Sequence, residues 1–345
     1  MFYSRSFRRA ALALLPATAL LFGLAAAHRP ALSSALKPFT VEVTARPIKE
    51  FAIGRAETRF GALEFAGGLE LSGSSSEFGG LSAFRFLDGG ESLLGVTDTG
   101  FWFDARIERD AAGRPAGVSR FSMQPILDEE GRGVAEKWEA DAEGLGIVDG
   151  TAVVSFERNH RIAAFDLKPG AMGRSTGSLP FLVPAHELRQ NRGFETVAVA
   201  PAESPLEGAI VVASEKSLDK RGNIFGAVLS GPRKGIFTVR RDEPFDITDG
   251  DFLPNGDLLL LERSFSMVAG VAMRLRLIPG EEIRPGEIAE GEVVLEADMS
   301  FQIDNMEALD VWRRADGATV VSLMSDDNLS LLQRNLYLEF VLHED

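Results

Sequence analysis

A hydrophobic segment bounded by acids recurs along the chain, and this recurrence restricts the possible folds more than any other feature. "DITDGDFLPNGDLLLLERSF", residues 246–265, has a wholly apolar middle. Asp246, Asp249 and Asp251 precede it, and Glu262 with Arg263 closes it. Counterparts are "FGGLSAFRFLDGGESLLGVTDTG" from Phe78, "DAEGLGIVDGTAVVSFERNH" from Asp141, "GFETVAVAPAESPLEGAIVVASEK" from Gly193 and "NMEALDVWRRADGATVVSLMSDDN" from Asn305. Each opens with small or acidic residues, runs through an apolar strand, turns, and returns as a strand ending in an acid. Measured from Gly79, Glu143, Glu195, Asp249 and Glu307, the steps are 64, 52, 54 and 58 residues. A degenerate period of roughly fifty residues with about four short strands per unit predicts the blades of a β-propeller.

The fold class is therefore all-β. Runs of Val, Leu, Ile and Phe alternate with Gly, Asp-Gly and Asn-Gly punctuation, and helical periodicity is scarce. A strand sandwiched between blades is covered on both faces, which explains the unbroken apolar run at 258–261. Dividing the 318 residues that follow position 27 by about 53 per blade predicts six blades, with five or seven open. "FTVEV" (39–43) and "NLYLEFVL" (335–342) read as strands sharing one closing blade, which leaves no open sheet edge. A two-sheet sandwich is the alternative architecture.

Residues 1–27 carry Arg5, Arg8 and Arg9 and then an apolar run ending in small residues. This reads as a cleaved secretory signal, with Arg8 and Arg9 as a twin-arginine pair or an ordinary basic start. A membrane anchor is the alternative, which Pro16 and the many alanines weaken. Residues 28–38 follow as a linker and 39–345 as one domain, in a periplasmic or secreted protein with no stable membrane insertion after cleavage. The formal charge of −15 becomes −18 without the first 27 residues, a balance that argues against nucleic acid and anionic membranes. With no cysteine, disulfides, thiolate nucleophiles and zinc ribbons are excluded.

The glycine pair in "FGGLSAF", "DAEGLGI", "NRGFETVAV", "LLLLERSF" and "NMEALDVW…LMSDDNLSLLQ" together resemble the phytase-like family of exported bacterial proteins, labelled "esterase-like activity of phytase". The resemblance runs from about Phe60 to Leu342. It implies a propeller and a hydrolase, and it brings no settled set of catalytic residues. "VTDTG" departs from it, with Thr99 where a basic residue is expected, which removes a phosphate contact at that blade.

Strand ends supply Asp98, Glu157, Glu215, Glu262 and Asp326, and strand beginnings supply Glu143, Glu195, Asp249 and Glu307. If equivalent ends converge on one mouth of the ring, these carboxylates form a hard oxygen cage suited to Ca²⁺. His28, His160, His186 and His343 show no zinc spacing. The phytase-like mechanism implied is metal-assisted phosphoester hydrolysis of a small-molecule substrate. Arg158, Lys216, Arg263 or Arg192 would stabilise oxygen charge, and His160 would serve as acid or base. The plainer reading makes "ER" at 157, "EK" at 215 and "ER" at 262 structural ion pairs between blades. In the 246–265 hairpin, Pro254 favours a type I turn ending in left-handed Gly256, which shifts the register by one and separates Asp249 from Glu262. "GRSTG" (173–177) fits G-x-S-x-G but lies in loop sequence rather than on a strand-to-helix turn. "SGSSSEFGG" (72–80) reads as a flexible turn, and Trp102, Trp138 and Trp312 as blade packing. Two other functions stay open: a calcium-dependent esterase or lactonase, and a non-catalytic propeller binding a ligand or protein.

Overall fold

Short apolar strands joined by tight turns build five sheets in the computed structural model, which describes residues 37–133, 140–189 and 192–343; they are antiparallel but for the pairing of Gly235–Val239 with Ile288–Ala289. The expected signal at 1–27 and most of the 28–38 linker lie outside the described residues. The sheets belong to one compact unit, Leu32–Asp345. Among the described residues no helix is long and apolar enough to cross a membrane.

Each sheet is a blade whose first strand lies innermost. These are Leu81–Phe86, Ala142–Val148, Phe194–Val199, Asp246–Phe252 and Met306–Arg313, and each packs beside the next until the last meets the first. The ring is a propeller of five blades, which corrects the expectation of six. Five starting points were present in the repeat. The division by blade length failed because residues 39–73 build no blade of their own. Phe39–Thr40 adds an edge strand to blade one, while Val43–Ile48 and Leu63–Gly73 complete blade five. There the C-terminal strand Asn335–Leu342 lies between Leu63–Gly73 and Thr319–Ser325, so both ends of the domain close the ring. Of "FTVEV", then, only Val43 joins the closing blade.

Burial follows the same division into five. Among the described residues, one apolar cluster fills each junction between blades, such as Leu94, Val96 and Trp102 against Leu145, Val154 and Phe165. Trp102 meets Phe165 edge-on and Trp312 packs on Phe86, as blade packing requires, while Trp138 lies outside the described residues. Near the axis the strands crowd. A Cβ on Gly144 would sit 2.4 Å from the Glu195 carbonyl oxygen, so only glycine fits.

A bulge interrupts every inner strand at the same level, at Ser82, Glu143 with Gly144, Glu195, Thr248 and Glu307. Bulges redirect side chains and collect beside functional sites. Here they turn five equivalent side chains toward one end of the channel. Asp149 (φ 47°) and Gly150 (φ 72°) form the tight hairpin turn expected in blade two. In blade four the Gly256 amide bonds the Leu253 carbonyl at 2.9 Å and Gly256 takes φ 92°, the type I turn expected from Pro254.

Candidate functional site

The channel mouth is a hollow of about 300 Å³ lined by Asp98, Asp141, Glu143, Glu157, Arg158, Glu195, Glu215, Thr248, Arg263, Glu307 and Asn328. Three sets of equivalent positions build it. The bulges contribute Glu143, Glu195 and Glu307, with Ser82 and Thr248 at the two remaining places. At equivalent places on each second strand, or just past its end, stand Asp98, Glu157, Glu215, Arg263 and Asp326. The amides of the four acids in this second set each donate to the carbonyl just before the inner strand, at 2.8–2.9 Å, whereas Arg263 pairs with Asp246 in register. The third set, before the inner strands, contributes Asp141.

Blade four breaks the pattern for a local reason. Its turn at 254–256 is one residue longer than that at Asp149 and Gly150, so Arg263 takes the place that Glu262 was expected to fill. Glu262 turns to the opposite face, where it is buried between Arg274 and Arg276 of the neighbouring strand. Asp249 also leaves the mouth. It lies one residue past the Thr248 bulge, deeper in the channel and fully buried, accepting hydrogen bonds from Arg85 at 3.1 and 3.3 Å and from the Leu309 amide at 2.9 Å. Both are corrections to the sequence-based ligand set.

Lys216 and His160 are corrected as well. Lys216 pairs with Asp246 and faces an adjoining hollow instead of the mouth. His160 packs behind the rim, where a Cβ on Gly193 would lie 2.8 Å from its Nδ1, and burial lowers its pKa. Arg158 and Arg263 do reach the mouth, bound to Asp141 at 2.6 Å and to Glu307 at 2.9 Å. Arg192 acts on Glu215 through its charge. Asp326 stands beside Asp98 and Glu307, close enough for their charges to act on it.

Sequence reasoning omitted Asp141 from the ligand set, although "DAEGL" places it two residues before Glu143. It also omitted Arg85, visible as a lone base within the apolar "SAFRF". The Arg85 guanidinium closes the channel below the mouth. It donates to the carbonyls of Leu309 at 2.6 Å and of Val197 and Gly250 at 3.2 Å, tying its own blade to three others.

Electrostatics at the mouth are one-sided, with seven lining carboxylates against two guanidiniums. Burial and then the neighbouring acids push Glu143 and Glu195 well above the usual carboxylate range. Glu157 and Glu215 are each raised to about 7, by burial first and then by nearby acids. Asp326 is likewise raised to about 7, by burial and then by Asp98 and Glu307. Among the described residues, Glu143, Glu157, Glu195 and Glu215 make no ion pair. Two trios each bring three carboxylate oxygens within 4.8 Å of one another, Asp141 with Glu143 and Glu157, and Glu157 with Glu195 and Glu215. Opposite ligands of a calcium ion with Ca–O of about 2.4 Å stand about 4.8 Å apart, so both trios fit such an ion.

No curated protein matches the chain by sequence. Solved propellers match it loosely. The PQQ-bound aldose sugar dehydrogenase of Streptomyces coelicolor aligns over 87% of this chain and 98% of its own, at 12% identity and a TM-score of 0.41. An endo-arabinase of Bacteroides thetaiotaomicron aligns over 78% and 96%, at 12% identity and a TM-score of 0.46. Neither likeness is near enough to carry a functional argument. The sequence profile described as "Phytase-like: Esterase-like activity of phytase" matches residues 76–329, which span all five inner strands and the whole acidic mouth, and the chain therefore belongs to the phytase-like family.

Proposed function

We propose that this protein is an exported hydrolase that uses calcium to cleave phosphoesters at the acidic mouth of its propeller. The observation that carries the reading is the pair of oxygen trios sharing Glu157, spaced for hard divalent ions, in which Glu143, Glu157, Glu195 and Glu215 make no ion pair among the described residues while Asp141 meets Arg158. When bound, calcium would neutralise substrate charge and make a water molecule more acidic. Asp141, Glu143 and Glu157 would hold one ion, and Glu195 with Glu215 would complete a second place beside it. Arg158 and Arg263 stand at the rim, where they would meet the oxygen charge that develops in the transition state. Glu215, with its proton held to about pH 7, would pass that proton to the leaving group when it is not a ligand. Export is supported by the basic and then apolar sequence at 1–27.

A second reading, hydrolysis of carboxylic esters or lactones, is favoured by one observation. Both mouth arginines are already paired with acids, which leaves phosphate to be held by the metal alone. Purified protein assayed on a phosphomonoester, phytate, esters and lactones, with calcium and then with chelator, separates the two. Chelator-sensitive phosphate release supports the first reading and chelator-sensitive ester cleavage the second. Absence of turnover with a melting temperature indifferent to chelator refutes both.

A further inference from the structure

A second hollow, of about 920 Å³, adjoins the mouth over blades four and five. Arg263 lines both spaces, and Asn305, which lines the second, bonds Glu307 of the first at 2.7 Å. The walls differ in kind from those of the mouth. Phe265 and Val271 come from the hairpin of blade four, Met299 from the segment after that blade, and Leu332 from the loop between the second and third strands of blade five. Met267 and Val268 at the hairpin tip and Leu331 beside Leu332 extend this exposed apolar surface. Exposed apolar side chains clustered beside a polar site mark a place of binding.

The charged residues in this hollow are occupied with one another. Lys216 pairs with Asp246, and Arg241 pairs with Glu243 and reaches Asp246 at 3.4 Å. Among the described residues lining it, Lys216, Arg241 and Arg263 are all engaged with carboxylates, which argues against a polyanionic arm lying in the groove. A space of this size, in which Phe265, Val271, Met299 and Leu332 form an apolar stretch of wall beside charged and polar residues, can seat the apolar part of a small molecule.

We infer that this hollow is the subsite for an uncharged apolar arm of the substrate, an acyl, alkyl or aryl group whose ester linkage reaches the mouth past Arg263. The inference rests on the reading of the mouth as a metal-dependent ester hydrolase and names the substrate class it serves. Full burial of a methylene gives roughly fourfold in binding. In a groove open on one side about twofold is expected, so a chain longer by several methylenes gains on the order of tenfold in kcat/KM.

The test pairs turnover with a binding measurement that needs no metal. Octanoyl and acetyl esters, and the matching alkyl phosphates, are compared with calcium present. An uncharged fluorescent naphthylamine probe is titrated in chelator. Phe265→Ser with Leu332→Ser is the variant, because the two side chains are 66% and 93% exposed and their loss leaves the folded core intact. The expected result is a preference for long chains that collapses in the variant through KM, together with probe binding weakened about tenfold. Equal kcat/KM for short and long chains in the wild type, or a preference unchanged in the variant, overturns the inference. Probe binding that depends on Phe265 and Leu332 without turnover of any ester sinks the reading of the mouth while upholding the apolar subsite.

Discussion

Replacement of Glu195 by Gln separates a metal cage from a set of structural ion pairs. Glu195 sits in the bulge of its inner strand, with a carboxylate oxygen within 4.8 Å of oxygens on Glu157 and Glu215. Two unit charges at that distance repel by about 3.5 kcal/mol at an effective dielectric constant of 20. Burial is the first cause of the value of about 7 held by both neighbours, and nearby acids add to it. Near pH 5 the neighbours carry protons, and Gln resembles protonated Glu, so the variant and the wild type should melt together. Near pH 8 without metal, the variant is relieved of the charge that Glu195 gains as it ionises and should be more stable by up to about 4 kcal/mol, or up to about 8 °C in Tm.

Calcium narrows this gap. At a hundred times its Kd, calcium stabilises the wild type by about 2.7 kcal/mol, and a tenfold loss of affinity cuts this to about 1.4 kcal/mol. Thermal melts at both pH values, with chelator and with calcium, supply all the comparisons. A variant less stable than the wild type near pH 8 in chelator would refute the reasoning, because Glu195 would then be supported by the protein itself.

Other expectations follow from the same geometry. Glu157 and Glu215 have folded pKa values raised from 4.5 to about 7, so between these values the folded state keeps protons that the unfolded chain has lost. Stability in chelator should therefore be greatest below pH 4.5 as far as these groups are concerned and fall as pH rises to about 7, by up to about 3 kcal/mol for either group. Saturating calcium should flatten this slope, and melting curves across the range check both. Glu262→Gln should cost about 3–5 kcal/mol in urea unfolding, since Arg276 would be left buried against a neutral partner while Arg274 keeps Asp242 alone. Calcium affinity measured by calorimetry should be unchanged in that variant. Gly144→Ala should destabilise by about 1–3 kcal/mol, because its Cβ would meet the Glu195 carbonyl of the adjacent inner strand.

The blade repeat, the turn at Pro254 and the grouping of Glu143, Glu195 and Glu307 could be read from residues alone, because each depends on local chemistry repeated at a regular interval. The count of blades could not. Nothing in the sequence of 39–73 distinguishes strands that start a blade from strands that finish one opened by the C-terminus. Glu262 was misplaced for a finer reason. A bulge and a turn each shift strand register by one residue, and one residue exchanges the two faces of a strand. Both occur between Asp246 and Arg263, so the side facing the mouth depends on their sum. Asp249 shows the same sensitivity, since the bulge falls on Thr248 just before it.

The treatment of acids in different parts of this ring also indicates what the mouth is for. At two buried carboxylates elsewhere, Asp249 and Glu262, the chain supplies cations beside them, although Asp251 and Asp310 share Arg85 with Asp249. Arg85 meets Asp249 with two hydrogen bonds, and Arg274 and Arg276 enclose Glu262 from the adjacent strand. These pairs cost desolvation, yet they leave no charge unanswered. At the mouth the opposite holds. Glu143, Glu157, Glu195 and Glu215 are gathered without an ion pair among the described residues, and burial and then neighbouring acids raise their pKa values. Stability alone does not favour this arrangement, because glutamine at the same bulges would keep the packing and remove the repulsion. A ring able to place arginine where it is needed, and doing so at Arg263 by a single residue of turn length, leaves this side of its mouth negative. That pattern has a physical use if the missing positive charge comes from a divalent ion.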